Sequence, residues 1–332
     1  MLRTSFFITL SLLINQTQAQ TEASSSVQQE AQFFQSGQWA NYGNDPGGLS
    51  YSPLTQINTS NVGRLQQAWV YRSGELETYE GTDVASKAAF EATPIVVGEM
   101  LYFSTPTNRV IALNATNGRE LWTYDPQVDL HTGYSEITSR GVTKWIDPNL
   151  HPGDAGYMRI LAATIDGRLI ALDAGTGKPV TSFGKNGTID LTEGVGRIQV
   201  TSPPAVVNNI IVIGSTMGDN QRLDYPAGTV RAFDARTGKL LWSWDPIPRD
   251  PSDPAYDTWQ GSRAHETGAA NAWAPLSADP ERDLVFVPTT CPSPDYYGGE
   301  RKGNNEYANS LVAIKASTGE VVWHYQVVHH DI

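Results

Sequence analysis

The adjacent pair Asp219 and Asn220 combines a carboxylate with an amide side chain. Carboxylate and amide oxygens are the ligands that hard divalent cations such as Ca²⁺ and Mg²⁺ prefer. The same pair is also common in an Asx turn at the end of a strand, so both interpretations stand at this point. The single cysteine, Cys291, forms no internal disulfide, and without a CxxC or CxxCH motif these residues hold neither a zinc ribbon nor a c-type haem.

Arginine and tryptophan side chains can recognise a planar anion, although residue type alone does not distinguish Arg140 and Trp273 from the other arginines and tryptophans of the chain. The guanidinium of Arg140 is a planar fork that holds a carboxylate and stays charged at any relevant pH. The indole of Trp273 offers a flat surface on which a ring system stacks. Taken alone, a surface arginine and one more core tryptophan are the simpler interpretations, because the chain has nine tryptophans.

Composition limits the classes of protein that the chain can belong to. Its 332 residues include 23 Lys and Arg against 35 Asp and Glu, a formal net charge of −12, which argues against nucleic-acid binding. Hydrophobic residues make up 39% and charged residues 17%, as in a packed globule. Thirty glycines and twenty prolines indicate many turns, which helical bundles rarely have. No glycine-rich dinucleotide fingerprint follows a strand, which argues against an NAD enzyme.

The N-terminus has the pattern of a secretory signal peptide over residues 1–19. Arg3 precedes an apolar run from Ser5 to Ile14, and small residues precede the expected cleavage after Ala19. The run is shorter than the roughly 20 residues of a spanning helix, and an uncleaved interfacial anchor is the alternative. We therefore expect an exported, periplasmic protein, in which a polar lead over residues 20–35 precedes a domain over residues 36–332. Association with the surface of the inner membrane is also compatible with this pattern.

An internal repeat organises that domain. Four segments share the pattern Ala-x-Asp-Ala-x-Thr-Gly-x-x-x-Trp or a close variant, with turn glycines at Gly118, Gly177, Gly238 and Gly319. Each segment predicts a strand, a tight turn and a second strand, because Asp or Asn bonds the turn backbone and glycine supplies positive φ. The tryptophan that closes three of the four units is an anchor for packing one sheet on the next.

Repeated units of short antiparallel strands predict an all-β protein, a β-propeller of four-stranded blades around a channel. The turn glycines lie 59, 61 and 81 residues apart, which is longer than the ~40–45 residues of a WD40 blade. The additional residues belong in loops, of which the segment between Trp244 and Trp273 is the largest. The chain ends directly after a repeat, so we expect it to be an N-terminal fragment of a longer propeller.

The repeat resembles the tryptophan-docking motif of pyrroloquinoline quinone (PQQ) dehydrogenases. The resemblance runs from Trp39-Ala-Asn-Tyr-Gly-Asn-Asp-Pro-Gly-Gly to Val327-Val-His-His-Asp331, and Val287-Pro-Thr-Thr-Cys-Pro-Ser-Pro-Asp295 is most similar to the glucose-dehydrogenase branch. It implies an eight-bladed propeller, of which this chain holds about half. Because a non-enzymatic outer-membrane assembly propeller shares the docking motif, a periplasmic binding or assembly scaffold is the alternative function.

The same resemblance implies the cofactor-binding residues. Trp273 matches the tryptophan that lies flat against the PQQ ring system, and Arg140 matches the arginine that clamps the cofactor. Glu91, in Phe90-Glu-Ala-Thr-Pro94, and Thr201, in Val200-Thr-Ser-Pro203, align with further contact positions. Thr164 is an additional candidate.

For the metal, the resemblance implies Ca²⁺ or Mg²⁺ held by Asp219 and Asn220. A third ligand position falls on Cys291, where relatives carry Asn or Thr, and sulfur is a poor ligand for calcium. Glu136 stands four residues before Arg140, where some members of the glucose branch have histidine. These two departures bear on the coordination of the metal and on the specificity for glucose.

The resemblance also implies the reaction, the oxidation of an alcohol or of the anomeric hydroxyl of a sugar. The metal polarises the quinone, a base removes the hydroxyl proton, and electrons pass to ubiquinone or a cytochrome. The family's base is an aspartate in a Trp-Asp pair expected just after Ile332, so Asp331 does not align with it and we expect no catalytic base within this chain.

Overall fold

A computed structural model of the protein describes residues 38–134, 136–217 and 222–331. Within these ranges the protein is nearly all-β, and the only helices are a few short turns. Three of them are 3₁₀ turns, Val62–Arg64, Tyr256–Thr258 and Ala264–Glu266, and two are α-helical, α1 (Glu75–Thr78) and α2 (Asp83–Lys87). The expected signal peptide and polar lead fall outside the described residues. None of the helices described is long and apolar enough to cross a membrane.

Four antiparallel sheets, each of four strands joined in chain order, form the blades. The first blade is β2 (Ile95–Val97), β3 (Met100–Ser104), β4 (Val110–Asn114) and β5 (Glu120–Tyr124). The second is β7 (Thr143–Ile146), β8 (Met158–Ala163), β9 (Arg168–Asp173) and β10 (Thr188–Asp190). The third is β11 (Ala205–Val207), β12 (Ile210–Ile213), β13 (Val230–Asp234) and β14 (Leu240–Trp244). The fourth is β15 (Ser277–Asp279), β16 (Leu284–Pro288), β17 (Ser310–Lys315) and β18 (Val321–Gln326).

The blades stack face to face, and their cores lie between them. Along β8, Ile160 and Ala162 pack in the core shared with the first blade, whereas Leu161 and Ala163 pack in the core shared with the third blade. Successive side chains of a strand point to opposite faces, so a strand that is covered on both faces reads as a continuous apolar run. The predicted four-stranded propeller blades are thus confirmed.

The repeated turns have the predicted chemistry. The carboxylate of Asp173 accepts hydrogen bonds from the Thr176 backbone N–H at 2.9 Å and from its hydroxyl at 2.7 Å. Gly177 has φ +68°, a conformation that glycine adopts without steric cost. A Cβ atom on Gly177 would lie 2.5 Å from the Trp122 ring of the preceding blade. The Trp122 indole N–H donates to the Ala174 carbonyl at 2.9 Å, so this turn is the docking site for the tryptophan of the first blade.

The second unit lacks the closing tryptophan, and an arginine replaces the indole N–H. Arg159, which is 2% exposed, donates to the carbonyl oxygens of Ala235 at 3.0 Å and Arg236 at 2.7 Å. Ala235 occupies the repeat position that Ala174 has in the second unit. Gly238 meets Ile189 instead of an indole ring. The contact between the second and third blades therefore keeps the hydrogen bond and the apolar contact with different residues.

The long segment between Trp244 and Trp273 is ordered by its own small core. This core consists of buried side chains from the segment together with Ala308 of the fourth blade: Ile247, Trp259, Ala264, Ala270 and Ala308. The Trp259 indole N–H donates to the Glu306 carbonyl at 3.1 Å. The segment leads directly into Trp273, so its packing fixes the approach to the site described next.

Candidate active site

Each of the four blades contributes one predicted site residue, and each lies just before the first strand of its blade. Glu91 precedes β2, Arg140 precedes β7, Thr201 precedes β11 and Trp273 precedes β15. The first strand of the third blade contacts the first strands of the second and fourth blades. Equivalent positions of neighbouring blades therefore converge on one region, although they are far apart in sequence.

Arg140 is the centre of this region. Its Nη2 lies 2.8 Å from Oε2 of Glu91, and its Nη1 donates to the hydroxyl of Thr201 at 2.5 Å. The guanidinium carbon lies 4.9 Å from the centroid of the Trp273 ring, within the range of a cation–π contact. The structure thus brings together four of the five residues that sequence reasoning predicted to bind a cofactor.

The backbone around Arg140 explains why its side chain is fixed. Strand β1 (Ala88–Phe90) pairs in parallel with β6 (Ile137–Ser139), and the register opposes Phe90 to Ser139. The next residue on each strand is Glu91 or Arg140, so this pairing sets them side by side. The Arg140 N–H also donates to the Thr201 carbonyl at 2.7 Å, which joins the second blade to the third.

Two residues that sequence reasoning missed complete the support of the site. The Thr216 hydroxyl lies 2.9 Å from the Thr201 hydroxyl, and the Ser202 hydroxyl donates to the Trp273 carbonyl at 2.5 Å. Trp273 and Thr216 line one small cavity. The indole of Trp273 is 42% exposed, although it is held at the backbone. Position was the only signal for both residues: Ser202 follows Thr201, and Thr216 lies shortly before Asp219.

Carboxylates outnumber positive charges around Arg140. Glu136 lies 3.9 Å from Arg140 and is hydrogen-bonded to Glu91, so two carboxylates face one guanidinium. Burial raises the pKa of the Glu136 carboxyl above its ordinary value, and the neighbouring Glu91 charge raises it further. A proton on Glu136, or a bound divalent cation, would balance the excess negative charge.

Thr164, the fifth predicted cofactor contact, serves a turn. Its hydroxyl donates to the Asp166 carboxylate and accepts from the Arg168 N–H at 3.1 Å. Its carbonyl accepts from the Val200 N–H at 3.3 Å, next to Thr201 in the chain. The structure therefore places Thr164 near the site through its backbone, but it does not direct its hydroxyl toward Arg140.

The predicted metal ligands Asp219 and Asn220 lie outside the described residues. Cys291, at the third position, donates its S–H to Oδ1 of Asp295 at 3.0 Å. Burial and this carboxylate raise the pKa of the Cys291 thiol to about 12, so the sulfur is a neutral thiol at physiological pH rather than a thiolate ligand. In the three described ranges, no group of three or more His, Cys, Asp or Glu side chains could hold a metal ion.

The arrangement fits a planar, carboxylate-bearing ligand. An exposed indole provides an area for stacking, and a guanidinium fixed by Glu91 and Thr201 provides a charged fork beside it. The Arg140 guanidinium already covers part of the indole, so such a ligand stacks on the part that remains exposed. PQQ, a flat tricarboxylate, has these properties.

Residues 39–332 match the protein family described as "PQQ: Glucose/ethanol/alcohol dehydrogenase, beta-propeller domain". The chain belongs to this family. Among its curated relatives, the quinoprotein glucose dehydrogenase of Escherichia coli is 35% identical over 305 residues, which cover 89% of this chain and 37% of the relative. The quinate/shikimate dehydrogenase (quinone) of Acinetobacter baylyi is 37% identical over 316 residues, which cover 89% of this chain and 38% of the relative.

A solved structure of a quinoprotein dehydrogenase is also similar to this chain. The quinohemoprotein alcohol dehydrogenase of Comamonas testosteroni superposes with a TM-score of 0.73 at 32% identity, covering 90% of this chain and 43% of that chain. The propeller fold and the relationship to quinoprotein dehydrogenases are thereby confirmed. The chain spans 37–40% of the length of the curated relatives that it matches.

Proposed function

We propose that the chain forms part of a PQQ-dependent dehydrogenase that oxidises a CH–OH group of a sugar or an alcohol. The convergence of Glu91, Arg140, Thr201 and Trp273 from four blades carries this proposal. A scaffold needs buried contacts between blades, but it has no need of an exposed indole beside a guanidinium that is fixed at one atom by a carboxylate and at another by a hydroxyl. Membership of the family supplies the identity of the ligand.

In this proposal, bound PQQ supplies the two-electron oxidation that side chains cannot perform. Arg140 would supply the positive charge that binds the anionic edge of the cofactor. Trp273 fixes the plane of the ring system by stacking. Thr201 and Glu91 keep the guanidinium in place, so its position does not have to be established anew at each turnover.

Glu136 is the proposed proton-responsive group of the site. Its raised pKa lets it keep a proton to a higher pH than an ordinary glutamate does. When Glu136 is protonated, Arg140 faces only one charged carboxylate, that of Glu91. A protonated Glu136 favours an anionic cofactor because it removes a like charge from the binding region. Deprotonation has the opposite effect, so we expect the affinity for PQQ to fall as pH rises through the pKa of Glu136.

For the metal, we propose that Asp219 and Asn220 hold Ca²⁺ or Mg²⁺ through their side-chain oxygens. The neutral Cys291 thiol does not serve as a third ligand, so a backbone carbonyl or water has to complete the coordination. Isothermal titration with CaCl₂ tests this assignment. Asp219→Ala should abolish a binding event that Asp257→Ala, a control at an exposed aspartate, retains.

The substrate, the electron acceptor and the location are proposed at a coarser level. Relatives named as glucose, glycerol and alcohol dehydrogenases support a small hydroxylated substrate. We propose ubiquinone or a cytochrome as the acceptor, and the periplasm as the location because of the signal-like N-terminus.

Reconstitution tests the activity. Because we expect no catalytic base within this chain, the longer protein of which the chain is proposed to form part is loaded with PQQ and CaCl₂, and dye reduction is followed with glucose, glycerol or ethanol as substrate. We expect reduction that depends on PQQ and that falls about 10–100-fold in Arg140→Ala, because one charged hydrogen-bond partner contributes about 1.5–3 kcal/mol. Arg119→Ala, in an exposed hairpin turn, is the matched control. PQQ bound without dye reduction by any substrate would instead support the binding scaffold.

A further inference from the structure

The segment that leads into Trp273 has an unfavourable backbone conformation. Ala269 and Ala270 have φ +59° and +53°, in the left-handed region where the Cβ of an L-residue crowds the following carbonyl oxygen. Both side chains are fully buried. Two such residues in succession persist only where the surrounding structure determines the path of the chain. The path into Trp273 is therefore imposed by its neighbours and not by local preference.

Hydrogen bonds from two other parts of the chain impose this path. On one side, the Ala270 N–H donates to the Cys291 carbonyl at 3.0 Å. The Asn271 carbonyl accepts from the Thr290 N–H at 3.1 Å and from the Thr290 hydroxyl at 2.8 Å. On the other side, Nδ2 of Asn271 donates to the Ser215 carbonyl at 2.6 Å. Asn271 is only 4% exposed, so this side-chain hydrogen bond is shielded from water.

The hydrogen bond from the Asn271 side chain closes a ring of contacts around the candidate site. The carbonyl that accepts it belongs to the residue before Thr216, whose hydroxyl lies 2.9 Å from that of Thr201. Thr201 in turn accepts a hydrogen bond from Arg140. The Arg140 guanidinium lies 4.9 Å from the centroid of the Trp273 ring, two residues after Asn271. Asn271 thus ties the segment that carries the indole to the hydroxyls that hold the guanidinium.

We propose that Asn271 is a positioning residue, which sets the place of the Trp273 indole relative to the Arg140 guanidinium. It acts through the Ser215 carbonyl and the backbone of its own segment. The requirement is for an amide donor and not only for size, because a carboxylate of the same shape has no N–H to donate. The consequence for PQQ rests on the proposed function, whereas the placement of the indole is a property of the chain alone.

Fluorine NMR of the full chain labelled with fluorinated tryptophan tests the placement without any cofactor. The Trp273 resonance is identified by its absence from Trp273→Phe. We expect it to shift or broaden in Asn271→Ala and in Asn271→Asp, because the indole loses its fixed place. Ala270→Gly keeps every hydrogen bond of the segment, so its Trp273 resonance should coincide with that of wild type. Gly177→Ala, the control for general destabilisation, should move the resonance of Trp122 and not that of Trp273.

Titration of the same variants with PQQ in the presence of CaCl₂ tests the consequence for binding. We expect Asn271→Ala to weaken binding about 3–10-fold, as for the loss of one hydrogen bond. In a Trp273→Ala background the same substitution should have less than about a twofold effect, because no indole remains to be placed. Ala270→Gly and Gly177→Ala should bind PQQ like wild type once they are folded.

The outcomes separate this inference from the proposed function. A Trp273 resonance that is the same in wild type and in both Asn271 variants would overturn the positioning role. A displaced resonance with unchanged PQQ affinity would overturn its part in cofactor binding, as would equal effects of Asn271→Ala with and without the indole. A displaced resonance in a protein that binds no PQQ would refute the proposed function and leave the placement by Asn271 standing.

Discussion

The turn at Gly177 allows the packing between two blades to be measured with one methyl group. In Gly177→Ala the new Cβ would lie 2.5 Å from the Trp122 ring, and the backbone has φ +68°. A left-handed conformation costs an L-residue about 1–2 kcal/mol, and overpacking costs about 1–3 kcal/mol. We therefore expect the free energy of unfolding to fall by about 2–5 kcal/mol, measured by urea titration with fluorescence and circular dichroism as probes.

Gly194→Ala is the matched control for this prediction. Gly194 has φ +76°, but a Cβ there would meet no atom within 4 Å, so only the conformational cost of about 1–2 kcal/mol applies. The difference between the two variants isolates the contact with the indole. In addition, Trp122→Leu should relieve part of the cost of Gly177→Ala, because the double variant removes the clashing ring. Equal destabilisation by the two alanine variants would refute the docking argument.

Three further predictions concern buried or site-facing charges. Arg159→Met should lower the free energy of unfolding by about 3 kcal/mol, because it leaves the Ala235 carbonyl and Asp147 with fewer partners, and a urea midpoint equal to wild type would contradict its docking role. The hydrogen bonds from Arg236 lower the pKa of Asp147, so the stability that they contribute is present above the ordinary pKa of 3.8 and is lost as the pH falls through the lowered pKa. In Asp147→Asn, the melting temperature should therefore decrease less steeply with falling pH than it does in the wild type. Glu136→Gln should remove the decline of PQQ affinity with rising pH, and equilibrium dialysis showing the same decline would exclude Glu136 as its source.

The blades could be predicted from the sequence because the residues that specify each turn lie close together in the chain. An Asp or Asn, a Thr and a Gly at fixed spacing specify one turn, and the Asp173 hydrogen bonds and the Gly177 φ angle follow from those residue types. That Arg159 takes the place of the missing docking tryptophan of the second unit could not be predicted. The missing tryptophan was visible in the sequence, but Arg159 comes from another strand and only the stacking of blades brings it to the Ala235 carbonyl.

The site was predictable only in part, for the same reason. Resemblance identified Glu91, Arg140, Thr201 and Trp273, and the structure brings them together. The pairing of β1 with β6 brings Glu91 beside Arg140 and so near Glu136, and no local sequence pattern shows this long-range register. The role of Thr164 in its turn was visible in principle, because an Asp two residues later competes for its hydroxyl.

Titration of the protein with PQQ in the presence of CaCl₂ tests the central claim most directly, that these four blades present a PQQ-binding surface centred on Arg140. Binding is followed by the change in cofactor absorbance and by the quenching of tryptophan fluorescence. We predict saturable binding that Arg140→Ala weakens about 10–100-fold and whose quenching component is reduced in Trp273→Phe, whereas Arg119→Ala binds like wild type. Affinities that are equal in wild type, Arg140→Ala and Arg119→Ala would contradict the claim.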